Sequence, residues 1–261
     1  MRSMKMAAAL LVVAGTTGAT LAVNAAASPP EFGRCVPVTT PRTGEYSGKS
    51  CLSPAGGKGR YNFVPGPGEH PKFEGTNSEV VVLAMPNLTI DCAAETFNGE
   101  YTGAKTASVT IDLIGCTNVA SGKRCQSNPA KEGEIEPPGM LEGEIGPIAV
   151  GTRPGVGLDL KRAPLIASFT CGEFGELPED TGVIEGSVIG KLAPINSMRE
   201  ELKLQYKTAE GKQVPESFEG GSKDTLTVQL VSGLGATAEP ATLKEKRIEI
   251  LNEEAIEIKA K

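Results

Sequence analysis

Val109-Thr110-Ile111-Asp112-Leu113 carries an apolar side chain at every second position, and Leu202-Lys203-Leu204-Gln205-Tyr206 and Leu226-Thr227-Val228-Gln229-Leu230 repeat the pattern. A period of two puts one face of an extended chain into a core and the other into water, whereas a helix needs apolar residues three and four apart. The three segments therefore predict half-buried strands. Weaker versions fall at 80–85, 88–92, 156–160, 165–171 and 183–189. Thirty-two Gly and 19 Pro punctuate the chain and separate these segments at intervals usual in sandwiches and barrels. The fold class that follows is all-β: a disulfide-stapled antiparallel β-sandwich, with a β-barrel as the alternative.

Upstream of these strands the chain changes character. Arg2 and Lys5 precede an uncharged stretch from Met6 to Val23 whose apolar core is Ala7 to Val13, and Ala25 and Ala27 place small residues where a signal peptidase requires them. Residues 1–27 are read as a secretory signal peptide cleaved between Ala27 and Ser28, which implies a secreted protein, extracellular or at the cell surface. Gly15, Thr16, Thr17, Gly18 and Thr20 dilute the stretch below the roughly 20 mostly apolar residues of a spanning helix, so no stable membrane span is expected once it is removed. Residues 28–70, rich in Pro and Gly with a strand signal only at 61–64, are expected to form an arm. Residues 71–261 form the β-domain. Within it, Gly133-Glu134-Ile135 recurs as Gly143-Glu144-Ile145 around Pro137-Pro138-Gly139, which predicts a hairpin. Ile248 and Ile250 before Asn252-Glu253-Glu254, with Ile256 and Ile258 after, predict a closing one.

All six cysteines, Cys35, Cys51, Cys92, Cys116, Cys125 and Cys171, lie beyond the cleavage point, where the compartment is oxidising and bridges are expected. Six cysteines permit 15 pairings, and spacing must choose among them. Cys35 and Cys51 are neighbours within the arm. Cys116 and Cys125 flank a loop containing Ser121-Gly122 and are expected to close its base. That leaves Cys92 with Cys171, each continuing the apolar phase of its own strand. A metal site is not expected, because no Cys-x-x-Cys occurs and the lone His70 sits in a loop, Pro67-Gly68-Glu69-His70-Pro71, far from any cysteine.

Charge and motif content remove most other chemistries. Without Arg2 and Lys5, 24 of the 26 basic residues remain against 32 acidic ones, a net charge of −8. The densest basic patch, Lys244, Lys246 and Arg247, is interleaved with Glu245 and Glu249, so no nucleic-acid partner is expected. Ser-His-Asp catalysis would need His70 as its base, and neither a Gly-x-Ser-x-Gly elbow nor a Ser-x-x-Lys pair is present. Gly48-Lys49-Ser50 is not a phosphate loop, since its upstream Gly44 is one residue too near. Paired carboxylates are the remaining catalytic possibility. Glu134, Glu144, Glu173 and Glu185 lie in or near predicted strands, yet 27 of the 32 acids are Glu at alternating outward positions, as on any soluble sheet. Calcium loops draw on clustered Asp, and the five here are scattered. No cofactor is expected. Gly44-Glu45-Tyr46-Ser47-Gly48 echoes Gly99-Glu100-Tyr101-Thr102-Gly103, and Phe73-Glu74-Gly75 echoes Phe218-Glu219-Gly220; these are read as recurring turn-into-strand devices.

Taken together, Gly99–Gly103, Ile111-Asp112-Leu113-Ile114-Gly115-Cys116 with Cys125, residues 156–160, Phe169-Thr170-Cys171-Gly172, residues 186–190 and Phe218-Glu219-Gly220-Gly221 resemble a family of exported proteins from soil actinobacteria with no assigned function. The resemblance covers nearly the whole mature chain. It implies secretion, a β-rich fold and the cysteine pattern, and it transfers no catalytic or binding residue. The function expected is that of a non-catalytic binding or structural module of the cell surface or envelope. Its alternatives are a glycosidase-type extracellular hydrolase using paired carboxylates and a β-barrel carrier of an apolar ligand.

Overall fold

The computed structural model describes residues 30–150, 153–172, 180–232 and 235–260. The expected cleavage site at Ala27 and Ser28, and Glu173, lie outside them. No helix occurs among the described residues, and none there is long and apolar enough to cross a membrane.

Eight strands make the frame: β1 (Lys72–Asn77), β2 (Ala94–Tyr101), β3 (Thr106–Ile114), β4 (Leu141–Val150), β5 (Arg153–Lys161), β6 (Ser187–Ala193), β7 (Arg199–Ala209) and β8 (Thr242–Lys259). Each pairs antiparallel with the next in chain order. β8 then returns to β1, with Glu249 opposite Thr76 and Leu251 opposite Glu74. The result is a closed up-and-down barrel. Eight strands enclose a space just wide enough for side chains to fill or for one small ligand, and here side chains fill it. Phe97, Ile145, Leu160, Leu204 and Ile248 are among those fully withdrawn from water. Gly190 is part of that fit: a Cβ there would lie 2.5 Å from Leu204 and 2.9 Å from Tyr206, so the missing side chain makes room for the buried tyrosine ring.

In a meander, alternate connections lie at the same end. The connections β1–β2, β3–β4, β5–β6 and β7–β8 all carry additional strands, so together they build a cap over that end. One layer of the cap is a five-stranded antiparallel sheet in the order Cys125–Gln126, Ala167–Cys171, Asp180–Glu185, Thr227–Ser232, Gly235–Pro240. The other joins Thr117–Asn118, Leu88–Cys92 and Val81–Met85 to the first residues of β8. Where the layers meet the barrel they leave an apolar cavity of about 60 Å³, lined by Leu83 and Leu243 on one side, Ala167 and Ile184 on the other, and Leu113 and Leu141 below. The expected all-β, disulfide-stapled antiparallel fold is observed, and both expected architectures have a place in it: a closed barrel, and over its end two facing sheets.

The arm closes the opposite end. Glu31–Pro37 pairs with Tyr61–Pro65 and with the end of β8, Glu31 standing opposite Lys259. Phe32, 1 % exposed, sits 4.5 Å from the Tyr101 ring, and the Tyr101 hydroxyl donates to Asn252 Oδ1 at 2.6 Å. Lys259 is pinned beneath the arm. Its ammonium lies 4.4 Å above the centre of the Tyr46 ring and 3.7 Å from Glu257, and it donates to the Cys51 carbonyl.

Cys35 is bonded to Cys51, as expected. The other two pairings differ from the expectation: Cys92 is bonded to Cys116 and Cys125 to Cys171, with Cα atoms 3.9 Å and 4.0 Å apart. Register is the reason. Asp91 stands opposite Thr117, which puts Cys92 against Cys116, and Cys125 is directly opposite Cys171. Cys92 and Cys171 do both face a core, but on different sheets. The Cys125 amide donates to the Cys116 carbonyl, so those two neighbours share backbone while their sulfurs turn to separate layers. Neither expected hairpin forms. Glu134–Ile135 and the start of β4 pair one after the other along the same edge of β3, and 248–258 belongs to a single strand, β8, whose register slips twice against β7.

Candidate functional site

The carboxylates singled out from the sequence are not brought together. Glu134 pairs with Lys131 at 3.5 Å on a two-residue strand, and Glu144 on β4 pairs with the Lys161 ammonium at 3.1 Å. Glu185 stands opposite Thr227 in the cap sheet. Each occupies an outward, partly exposed position, and no hydrogen bond or ion pair joins any two of the three among the described residues. His70 is exposed two residues before β1.

The outer wall of the barrel over β8, β1, β2 and β3 is a different matter. Cross-strand register aligns Leu251, Glu74, Asn98 and Thr110 in one outward row, and Lys72, Glu100 and Ser108 in the next. Met140, just before β4, folds over this surface, and the Ser108 hydroxyl donates to its sulfur at 3.0 Å. The result is an open groove of about 460 Å³ that includes Glu253. Two apolar side chains lie bare in it: Met140 is 60 % exposed and Leu251 53 %. Singly, exposed apolar residues need no explanation, but a long flexible thioether and a leucine in one groove form a contact surface of the kind that adapts to a partner. Three carboxylates, Glu74, Glu100 and Glu253, and one ammonium, Lys72, frame it, so its field is negative. No histidine lines the groove among the described residues, and the Ser108 hydroxyl beside it is turned to the Met140 sulfur.

A second cluster lies inside the barrel. Glu95 on β2 stands opposite Asn77 on β1, and Glu245 on β8 opposite Tyr206 on β7, giving four polar residues on four adjacent strands beneath the cap. Both glutamates are only 1 % exposed. Burial pushes the Glu95 carboxyl well above the usual carboxylate range, reinforced by the charge of Glu245 and then of Asp112. Burial likewise pushes Glu245 up to about 7, against the opposing pull of the neighbouring Glu95 and Asn77 side chains. The Tyr206 phenol is raised by burial and by the nearby carboxylates.

These residues escape a reading for paired outward acids because they point inward. Glu95 has a legible signal: it shares the alternation of Phe97 and Tyr101. Glu245 has none, since the two residues Lys246 and Arg247 stand against the single Gln205 in a β-bulge that restores its phase to that of Ile248. Set against known protein families, curated proteins and solved structures, the chain matches none of them.

Proposed function

We propose that this chain is an exported, non-catalytic β-domain that acts as a binding or structural module at the cell surface or in the envelope, and that its contact surface is the Met140–Leu251 groove. The Ala25 and Ala27 cleavage signal and the resemblance to exported actinobacterial proteins support export, as does a framework in which all six cysteines are paired. The observation that carries the binding assignment is the contrast between a filled interior and a bare groove. An apolar carrier needs an enclosed space of at least about 300 Å³, and the cavity beneath the cap has about 60 Å³. Meanwhile Met140 and Leu251 are spent on the outside of the barrel, where they add nothing to the core.

The test is capture of envelope components by the purified mature protein, residues 28–261, compared with a Met140→Glu/Leu251→Glu double variant of unchanged melting temperature. Retention by the mature protein and loss by the variant is the expected result. Equal retention would remove the groove from the function. Turnover of polysaccharides or peptidoglycan abolished by a single Glu→Gln change at Glu74, Glu100 or Glu253 would replace the binding reading with the hydrolase.

A further inference from the structure

We infer that Glu95 and Glu245 share a proton inside the capped end of the barrel, and that this proton holds the seam between barrel and cap closed, so that the seam loosens as its surroundings turn alkaline. The argument begins with hydrogen-bond inventory. None of the four carboxylate oxygens of the pair, nor the Tyr206 hydroxyl, has a conventional hydrogen-bond partner, and all are withdrawn from water. Two ionised carboxyls offer eight lone pairs and no hydrogen. Once one is protonated, the pair gains a hydrogen that it can donate from one carboxyl to the other.

The surroundings favour that state. Asn77 faces Glu245, but one hydrogen of its amide nitrogen goes to the Glu79 carbonyl and its oxygen accepts from the Glu79 amide, so it has a single hydrogen left to offer, and its pull on Glu245 is weaker than the effect of burial. Asp112 on β3 adds negative charge near Glu95, and Glu79 adds it near Glu245. The adjacent Lys246 ammonium is turned outward to Glu79 at 3.0 Å. No Lys or Arg ion pair reaches either carboxyl among the described residues. Two like charges enclosed together without a counter-ion cost more than one retained proton, which raises both carboxyls.

The position gives that proton leverage. Two residues before Glu245, the Leu243 amide and carbonyl are both held by the Gln213 side chain at 2.9 Å, and Thr242–Lys244 pairs with Val82–Ala84 of the cap. β8 therefore passes from cap to barrel at Glu245. For an acid whose folded value is raised, stability is fully present below the unfolded value and is lost as pH rises through the folded one. A shift from 4.5 to about 7 at Glu245 removes at least about ten-fold from the folding constant between about pH 6 and pH 8.

The experiment follows unfolding of the mature protein and hydrogen exchange of the Leu243 amide across that range. Wild type is expected to lose about ten-fold or more in both, while Glu95→Gln, which places a permanent N–H donor beside Glu245, loses less than about three-fold. Glu79→Gln and Asp224→Asn retain the wild-type loss. A flat wild-type profile, or a Glu95→Gln profile as steep as wild type, overturns the inference. So does recovery of the acid-side stability on adding calcium chloride at the alkaline end, which would make the pair a cation site. Infrared spectra of wild type need no variant: a protonated-carboxyl band present at neutral pH and absent at high pH is expected, and its absence at neutral pH overturns the inference.

Discussion

Replacing Phe32 by Ala removes the ring that stops the uncapped end of the barrel. The ring is 1 % exposed, so its loss forfeits nearly the whole transfer free energy of a phenyl group, about 2–3 kcal/mol. The tilted contact with Tyr101 at 4.5 Å adds roughly 0.5–1.5 kcal/mol beyond area. Phe73 already packs 4.8 Å from Tyr101 and is fixed within β1, so it cannot move across to fill the gap. The Cys35–Cys51 bond and the Lys259 contacts keep the arm in place, and water entering the mouth keeps the cost at the lower end of the usual range. The expected destabilisation is about 3–4 kcal/mol, read as a lower urea midpoint at unchanged m-value. The variant should also bind a hydrophobic dye at the exposed Tyr101 and Phe73 rings. A loss under about 1 kcal/mol, with no dye binding, would mean that the arm does not stopper the barrel and would refute this account of the closed end.

Disulfide mapping of the unreduced protein should yield peptides joining Cys92 to Cys116 and Cys125 to Cys171, with no free thiol. Removing Cys125–Cys171, which closes 46 residues, should cost about 4 kcal/mol against about 3 for Cys35–Cys51, which closes 16; denaturation of the two double-alanine variants checks the order. Asp224, pushed up to about 6 by burial although the Leu226 and Ile189 amides donate to it, contributes stability that is lost as pH rises from about 4 through 6. Asp224→Asn should flatten that portion of the melting profile and leave the loss above it unchanged.

Strand identity was legible in the sequence because alternation is local: Val109, Ile111 and Leu113 needed no partner to reveal their common face, and in the structure all three are buried. Partnership was not legible. The phase of Cys92 and Cys171 correctly put both sulfurs in a core, but phase carries no information about which sheet a strand joins, and register against Cys116 and Cys125 decided the bonds. β8 failed as a hairpin for a related reason. Asn252-Glu253-Glu254 has the composition of a turn, yet Asn252 is buried, accepts from the Tyr101 hydroxyl and donates to the Glu200 carbonyl. Long-range partners override a local turn signal there. The groove was illegible too, since Met140 and Leu251 are separated by more than a hundred residues and meet only because β8 closes on β1.

That closure has a kinetic side. β8 pairs with β1, β7, the Val81–Met85 strand and the arm, and its contact with β1 spans from Thr76 to Glu249. Until it arrives, β1 and β7 are open edges of an incomplete sheet, the cap lacks a strand, and the arm has nothing to grip. Contacts so distant in sequence are slow to form, and unpaired edges invite association with other chains. Folding of this protein therefore waits on its last strand, and its exposure to aggregation is set by the interval between delivery of β7 and delivery of β8.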